Sequence, residues 1–366
     1  MKIIAKREAI LSPLQAVIGV VERRQTMPIL ANVLLAAKGG RLSVTATDLE
    51  VELVAASDVD VQRGGEVTVP ARKLLDICRA LPEATEITLN QEGERMVVRA
   101  RRSRFALATL PAAEFPTVEE ISPLQTLEVP QQDFRRLLEK THFSMAQQDV
   151  RYYLNGTLLE TAPKLLRSVA TDGHRLALCE VQLDSGGQTG QQVIIPRKGV
   201  LELQRILGNE EQNLQLAIGT NHVRVQIGEV RFTSKLIDGR FPDYTRVIPN
   251  APERKVSAVR EELRQALQRA AILSNEKYRG IRFALKPNSL VIQAHNPEQE
   301  EAEEEVEVSY DGEPMEIGFN VNYLLDALGA IDGEQVEIGL TDGNSSCLIR
   351  SPTDDRAKFV VMPMRL

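Results

Sequence analysis

The sequence predicts an α+β fold in which three tandem similar domains each pack two helices on antiparallel sheets. Two observations support this prediction: the length of 366 residues, which exceeds one ordinary domain, and a threefold internal repeat. Each repeat contains two stretches with apolar residues at helical spacing, and the segments between them alternate in polarity as strands do.

The repeat is clearest around the second predicted helix. The stretches TVPARKLLDICRALPEATEITL, VIIPRKGVLELQRILGNEEQNLQL and IGFNVNYLLDALGAIDGEQVEI share a short strand, an apolar helix pattern, a turn and an alternating segment. Upstream, Asp48, Asp172 and Asn296 lie at equal intervals of 124 residues. Proline and charge interrupt the pattern near 118–126 and 247–255, which predicts domains of residues 1–121, 122–249 and 250–366.

A first helix is also predicted at the start of each repeat. In the first repeat, Leu14 and Val17 hold the helical spacing, and Pro13 after Ser12 predicts the start of the helix, with Ser12 as its N-cap. Phe134 and Leu137 begin the same pattern in the second repeat, as Leu263 and Leu267 do in the third. A hairpin turn is expected near residues 219–221.

The composition is that of an ordinary globular protein, with 43% hydrophobic and 26% charged residues. No apolar run approaches the roughly 20 residues that span a bilayer, and the start MKIIAKREAI does not resemble a signal peptide. Cys78, Cys179 and Cys347 lie far apart in apolar contexts. We therefore expect reduced core cysteines in a cytoplasmic protein that has no membrane partner.

Basic residues recur on equivalent predicted helices, although the net charge is −7. The second helices carry Arg72, Lys73 and Arg79 in the first repeat and Arg197, Lys198 and Arg205 in the second, and the first helices are flanked by Lys6, Arg7, Arg23 and Arg24 and by Arg135, Arg136 and Lys140. A solvated face is the commoner explanation for any one helix. Recurrence on equivalent helices favours a common basic face, which suits phosphate backbones.

Two further charged segments have opposite signs. The first repeat contains RARRSRF at residues 99–105, and the third contains NPEQEEAEEEVEV at residues 296–308. A solvated acidic loop is the usual explanation for such a run. A basic edge in one domain and an acidic edge in another nevertheless favour head-to-tail association, which closes into a ring when the rotation permits.

The motif TDGHR, residues 171–175, is the one candidate catalytic cluster. It brings Asp172, His174 and Arg175 together, but no nucleophile context, P-loop or G-x-G-x-x-G accompanies it. None of the four histidines lies at metal-ligand spacing. We therefore expect no catalytic residue, no metal and no cofactor, and a protein that is not an enzyme.

Long strings of the sequence carry a family resemblance. They include QQDVRYYLNG, VATDGHRLALC, IPRKG, FTSKLIDGRFPDY, AAILSNEKYRGIR, HNPEQEEAEE, EIGFNV and the apolar C-terminus VVMPMRL. Through them the chain resembles, from end to end, the β subunit of bacterial DNA polymerase III, the sliding clamp. The resemblance implies that each chain forms half of a ring: a head-to-tail homodimer that encircles duplex DNA without sequence specificity. It also implies a processivity factor for DNA replication and DNA repair in the DNA polymerase III holoenzyme.

The resemblance further implies three sets of site residues. DNA would lie near Arg24, Arg72, Lys73, Arg79, Gln148, Arg197, Lys198 and Arg205. A groove shared by the polymerase III alpha subunit, the clamp loader delta subunit, other polymerases and repair proteins would be lined by Arg151, Tyr153, Leu154, Thr171, Gly173, His174, Arg175, Leu176, Pro242, Arg246, Val247, Ser346, Val360, Val361, Met362, Pro363, Met364, Arg365 and Leu366. The dimer interface would contain Lys73, Arg102, Arg104, Phe105, Leu107, Ile272, Leu273, Glu300, Glu303 and Glu304.

Particular roles are expected within the groove. Arg151, Arg175, Arg246 and Arg365 would form a polar rim that holds peptide carbonyls or a Gln side chain. Val360 would belong partly to the core, while Met362 and Met364 would face the groove. Two alternatives stay open: a repeat scaffold that binds protein partners without encircling DNA, and a small-molecule enzyme built around His174.

Overall fold

The computed structural model describes residues 1–21, 27–118, 121–184, 190–208, 210, 212–250 and 252–365. The first repeat contains β1 (Lys2–Lys6), α1 (Arg7–Val17), β2 (Asn32–Lys38), β3 (Arg41–Thr47), β4 (Val51–Asp58), β5 (Asp60–Arg63), β6 (Gly65–Pro70), α2 (Ala71–Ala80), β7 (Glu86–Glu92), β8 (Arg95–Ala100) and β9 (Ser103–Ala108). The second contains β10 (Gln125–Pro130), α3 (Gln131–Glu139), β11 (Gly156–Ala162), β12 (Leu165–Thr171), β13 (Arg175–Gln182), β14 (Gln192–Pro196), α4 (Arg197–Ile206), β15 (Asn213–Ile218), β16 (His222–Ile227) and β17 (Val230–Lys235). The third contains β18 (Arg254–Val259), α5 (Arg260–Ala270), β19 (Gly280–Lys286), β20 (Ser289–His295), β21 (Glu301–Glu307), β22 (Met315–Asn320), α6 (Val321–Ala330), β23 (Gln335–Leu340), β24 (Cys347–Arg350) and β25 (Ala357–Val361).

Each repeat is itself built from two similar halves. A half consists of one strand, one helix and three further strands, and only the first repeat adds an extra strand, β5, within the described residues. The expectation of an α+β fold with two helices per repeat is therefore confirmed. The predicted hairpin turn lies between β15 and β16, where the N–H of Gly219 donates to the carbonyl oxygen of His222.

The chain divides into two compact units by contact. The first unit comprises residues 1–132 and 198–236 and holds two antiparallel sheets. The strand orders are β5-β1-β7-β8-β9 and β10-β15-β16-β17-β4-β3-β2-β6. The longer sheet joins the first repeat to the second, because β17 pairs directly with β4.

The second unit comprises residues 133–197 and 237–366 and is built in the same way. Its two antiparallel sheets have the orders β14-β11-β12-β13-β25-β24-β23-β18 and β21-β20-β19-β22. Here β25, the last strand of the chain, pairs with β13 and joins the third repeat to the second.

The start of the first helix differs from the prediction. Helix α1 begins at Arg7 and contains Pro13, so Ser12 is not its N-cap. Proline has no N–H to donate to the carbonyl four residues earlier, which belongs to Ala9. The hydroxyl of Ser57 on β4 donates to that oxygen at 2.5 Å, which explains how the helix continues through a proline.

The three cysteines are free and buried, as expected. Burial raises the pKa of the Cys78 thiol to about 12 and that of Cys179 to about 11, so both remain protonated and unreactive near neutral pH. Within the described residues, no helix has the length and apolar character needed to cross a membrane.

Candidate functional site

The floor of the predicted groove is an apolar cluster in the second unit. It is formed by Leu158, Val169, Leu176, Leu178, Ile194, Phe241, Tyr244, Leu348 and Val360, with Tyr153, Ile237 and Ile248 packed against it. The pairing of β13 with β25 places Leu176 directly opposite Val360. Second-repeat and third-repeat residues therefore share one floor.

The C-terminal residues have two different roles. Val360 and Val361 are 0% and 1% exposed, so they are core residues and Val360 is not only partly core as expected. Met362 is 41% exposed, and its N–H donates to the carbonyl oxygen of His174 at 2.9 Å. The N–H of Met364 donates to Gly318 at 2.8 Å. The first bond holds the chain beyond β25 beside the TDGHR turn, and the second holds it beside β22.

The TDGHR motif is a structural turn. The Asp172 carboxylate accepts from the N–H groups of His174 and Arg175 at 2.9 and 3.1 Å, and the Thr171 hydroxyl donates to the carbonyl of Arg175 at 2.6 Å. The equivalent turn of the first repeat makes the same bonds from Asp48. Repetition of the geometry without the histidine indicates that these residues shape the backbone.

The four arginines of the expected rim are not alike. The Arg175 guanidinium is engaged by internal contacts: it donates to Asp172, to Asp326 at 2.5 Å and to the carbonyl oxygen of Phe143 at 2.6 Å. It also lies over the ring of Tyr323, 4.5 Å from the centroid. Each of its three guanidinium nitrogens donates a hydrogen bond, and the bond to Asp172 stabilises the turn.

The other three arginines are accessible. Arg151 pairs with Asp149, which holds the pKa of that carboxyl at about 2 and keeps the pair ionised. Arg246 is paired with Asp243 at 2.8 Å, and its side chain is 84% exposed. Arg365 is also exposed. These side chains remain available to polar atoms of a ligand.

The remaining groove residues lie at different depths. Leu154 is buried, while Thr171, Tyr153, Ser346, Pro363 and Met364 are half-buried. Gly173, His174, Pro242 and Val247 are exposed. Gly173 has a φ of 89°, a conformation that glycine adopts without strain. Leu366 lies outside the described residues.

The predicted DNA-facing residues differ in exposure and in the internal contacts that they make. Lys73, Arg79 and Gln148 are exposed. Arg72 donates to the carbonyl of Val21 at 2.9 Å, and Lys198 is ion-paired with Asp48. Arg197 is half-buried, and Arg24 lies outside the described residues.

Arg205 is held by several internal contacts. It pairs with Glu202 at 2.9 Å and donates to the carbonyl oxygens of Gln15 and Ala16 at 3.1 and 2.5 Å. These are carbonyls from the last turn of α1, which have no partner within the helix. Arg205 therefore links α4 to the end of α1.

Arg136 of α3 and Lys140, which follows the helix, are neutralised within the second unit. Arg136 is paired with Asp332 at 2.7 Å and with Asp354 at 2.8 Å. Lys140 is buried and donates to Asp332 and to the carbonyl of Ala330. The expectation of a common basic face was wrong for these residues, because the aspartates that neutralise them come from the third repeat.

The predicted interface residues lie on and beside two sheet edges. Strand β9 is the edge of the five-stranded sheet and carries Arg104, Phe105 and Leu107, while β21 is the edge of the four-stranded sheet and carries Glu303 and Glu304. Exposed edges present unpaired N–H and C=O groups that can accept another strand. Phe105 is 37% exposed and Leu107 is buried.

The other interface residues are accessible to different degrees. Ile272 is 75% exposed, Arg102 and Glu300 are exposed, and Leu273 is half-buried. Glu304 receives two hydrogen bonds from Arg269, at 2.9 and 2.7 Å, and this pairing lowers the pKa of the carboxyl. Sequence reasoning missed Arg269, because its partner Glu304 lies 35 residues further along the chain and no local pattern joins them.

Comparison with known proteins relates the whole chain to one family. Models of the DNA polymerase III beta subunit match it in three parts: the N-terminal domain at residues 1–119, the central domain at 128–243 and the C-terminal domain at 245–365. The beta sliding clamp of Pseudomonas aeruginosa is 56% identical over 362 residues, with 99% of both chains covered. That of Escherichia coli K12 is 53% identical, with both chains fully covered.

Solved structures agree with these matches. The crystal structure of the DNA polymerase III subunit beta from Pseudomonas aeruginosa aligns with a TM-score of 0.98 at 54% identity and covers both chains completely. A crystal structure of a DNA polymerase sliding clamp from Caulobacter crescentus aligns with a TM-score of 0.95 at 40% identity, again over the full length of both chains.

Proposed function

The chain belongs to the DNA polymerase III beta subunit family, and from this membership we propose that it is a sliding clamp that acts as a processivity factor in DNA replication. Two copies form a head-to-tail ring around duplex DNA and tether polymerases to it. The activity is topological, so it needs no catalytic residue and no cofactor.

The arrangement of three equivalent phenylalanines carries this proposal. Phe232 on β17 and Phe359 on β25 are 0% and 1% exposed, because each strand is paired with a strand of the preceding repeat. Phe105 on β9 has the same place in its hairpin: it lies opposite Val98 as Phe232 lies opposite Val225. Phe105 is 37% exposed because β9 is a sheet edge and has no such neighbour among the described residues of its own chain.

The missing neighbour can be identified by the same rule. Strands β4 and β13, which receive β17 and β25, are each the last strand in the first half of a repeat. The third strand of this kind is β21, which is also a sheet edge. Strands β9 and β21 are thus both sheet edges, and we infer that the third repeat of a second copy supplies β21 to β9.

The rule also gives the register of the joint. Phe232 lies opposite Leu53 on β4. The counterpart of Leu53 on β21 is Ala302, which lies opposite Ala294 as Leu53 lies opposite Ala46. In an antiparallel pair this places Phe105 opposite Ala302 and Arg104 opposite Glu303. Opposite charges directly across two strands stabilise the pair.

The apolar cluster beside β25 is proposed as the groove for partner peptides. Its floor supports burial of Leu or Phe side chains, and Met362 offers an adaptable wall. Arg151, Arg246 and Arg365 provide accessible donors for peptide carbonyls. The partners expected for this groove are the polymerase III alpha subunit, the clamp loader delta subunit, other polymerases and repair proteins.

The contacts that we propose with DNA are individually weak, as a sliding ring requires. A tight grip on phosphates would prevent sliding, whereas a closed ring needs only weak contacts that do not read sequence. The exposed Lys73, Arg79 and Gln148 support this role directly. Arg24, Arg72, Arg197, Lys198 and Arg205 are retained as proposed residues near the DNA, although several also make internal contacts.

The proposal also covers the domain boundaries and the cellular location. We place the domain boundaries near residues 121 and 249, which fall shortly before β10 and β18. We also propose a cytoplasmic location, where chromosomal DNA is available. The alternative of a repeat scaffold that never encircles DNA is not favoured, because the family matches extend along the whole chain.

Release from cut DNA tests the function. The protein is loaded on a nicked circular plasmid with a bacterial clamp loader and ATP, half of the sample is linearised, and both halves are passed through gel filtration. Co-elution with the circle and release from the linear form establish a topological link. Equal retention on both forms would instead indicate ordinary electrostatic binding and contradict the ring.

A further inference from the structure

The first unit contains a cavity at the position that corresponds to the candidate groove of the second unit. Its volume is about 430 Å³, within the ~300–1,000 Å³ typical of small-ligand pockets. It is lined by Thr47, Leu49, Pro116, Thr117, Val118, His222 and Lys235. All of these residues belong to the first unit.

Backbone bonds establish the correspondence. The N–H of Lys235 donates to the carbonyl oxygen of Glu50 at 2.9 Å, as Met362 donates to His174 at 2.9 Å. Lys235 therefore stands where Met362 stands in the groove.

The other walls correspond as well. His222 in the cavity and Ser346 in the groove hold equivalent positions. His222 comes one residue before Val223, which lies opposite Ser234. Ser346 comes one residue before Cys347, which lies opposite Val361. The cavity is thus lined by the same parts of the fold as the groove: a turn, the chain after a repeat, and the last strands of the next repeat.

The floors of the two sites differ in chemistry. Glu52 and Thr233 face one another in the first unit, where the groove has Leu176 and Val360. Both Glu52 and Thr233 are buried, and the Glu52 carboxylate accepts from the N–H of Val118 at 3.0 Å. That bond holds the chain after the first repeat beside these two residues.

The remaining walls combine apolar surface with one cation. Leu49, Pro116 and Val118 are accessible apolar residues. The Lys235 side chain is exposed, and no carboxylate among the described residues pairs with its ammonium group. A ligand that complements this lining carries one aliphatic side chain and a nearby carboxylate.

Leu49 supports a binding role independently. Its φ is 80°, a left-handed conformation that bulky residues rarely adopt, and the equivalent position in the second repeat is Gly173. Its side chain is nevertheless 39% exposed at the cavity, so core packing does not explain the strain. Strained residues of this kind cluster at ligand sites.

From these observations we propose that the cavity is a second peptide site, selective for a short acidic segment with one aliphatic side chain. The correspondence rests on the groove proposed above, but the site, its lining and its ligand class are distinct. A ring of two chains would therefore offer two kinds of peptide site on each chain.

Methyl NMR of the full-length protein separates the two sites. The probe is acetyl-Asp-Leu-Asp-amide, and its uncharged counterpart is acetyl-Asn-Leu-Asn-amide. We expect saturable shifts of the Leu49 and Val118 methyls with the acidic probe and much smaller ones with the amide probe. Methyls of Leu176 and Leu348 report separately on the groove.

Matched variants decide the assignment. Lys235→Gln should weaken the response at Leu49 and Val118 by about three- to fivefold and leave the response at Leu176 unchanged. Met362→Ala should leave the Leu49 response unchanged. Absence of a saturable shift at Leu49 and Val118, or equal shifts from both probes, would overturn the second site. Shifts confined to Leu176 and Leu348 would retain the groove and reject the second site.

Discussion

The Ser57 hydroxyl donates a hydrogen bond to the Ala9 carbonyl at 2.5 Å, and this contact joins β4 to the first turn of α1. The Ala9 oxygen would otherwise be unpaired inside the helix, because Pro13 cannot donate to it. A side chain that is 48 positions away in sequence therefore completes a helix that a proline would interrupt.

Removal of this hydroxyl should destabilise the protein. Ser57→Ala is expected to lower the free energy of unfolding by about 1–2 kcal/mol, because a part-buried carbonyl loses its partner. Urea denaturation measures the change. In a Pro13→Ala background the helix regains its own N–H donor, so the same substitution should then have a smaller effect. An equal effect in both backgrounds would contradict the explanation.

Charge reversal tests the proposed joint between copies. Arg104→Glu should weaken the dimer, because position 104 would then face Glu303 across the joint. Arg104→Glu combined with Glu303→Arg should restore most of the loss. Analytical ultracentrifugation measures both, with Ile272→Ala plus Leu273→Ala as the expected monomer for comparison. A reversal that fails to restore dimers would show that the register is wrong.

Truncation tests the groove. Deletion of residues 362–366 removes the accessible Met362 but retains β25, which ends at Val361. Binding of a fluorescent peptide with Gln, Leu and Phe side chains should fall at least about tenfold, while the protein remains dimeric. Fluorescence anisotropy and sedimentation provide the two readouts. Loss of the dimer together with peptide binding would indicate that these residues belong to the core.

Arg79 and Arg205 form a matched pair for DNA binding. Arg79→Ala should reduce the slope of log affinity against log salt by about 0.9 for a short labelled duplex, and should change stability by less than about 0.5 kcal/mol. Arg205→Ala should instead lower the free energy of unfolding by about 1–3 kcal/mol, because carbonyls of α1 lose their donor. An unchanged salt slope for Arg79→Ala would remove it from the DNA surface.

Acid stability should depend on Asp354. Arg356 and Arg136 hold the pKa of this carboxyl at about 2, below its usual value near 3.8. A lowered folded-state pKa stabilises the protein above about pH 4, and the contribution is lost as the pH falls towards 2. Asp354→Asn should remove about 1 kcal/mol at pH 5, allowing for solvent screening, and little at pH 2. Asp355→Asn, on a neighbouring exposed residue, is the control; equal pH profiles for the two variants would contradict the assignment.

The sequence predicted the repeats, the two helices per repeat and the family, because these depend on local periodicity and on long matching strings. The predicted start of α1 at Pro13 was wrong. Proline marks a helix start reliably only when no distant group donates to the carbonyl that its missing N–H leaves unpaired. Lys140 was assigned to a basic face because its neutralising partner, Asp332, is remote in sequence. Such pairings depend on how strands join, and no local pattern records them.

The sequence by itself determined that the chain has three similar domains, a basic and an acidic edge segment, and an apolar C-terminus. Only the tertiary structure decided that Val360 belongs to the core, that the Arg175 guanidinium is engaged by internal contacts, and that Phe105 is left exposed at an edge. The physical reason is that burial and pairing depend on which strands become neighbours. Repeats that are equivalent in sequence therefore acquire different surfaces, because β17 and β25 are each paired with a strand of another repeat whereas β9 is a sheet edge.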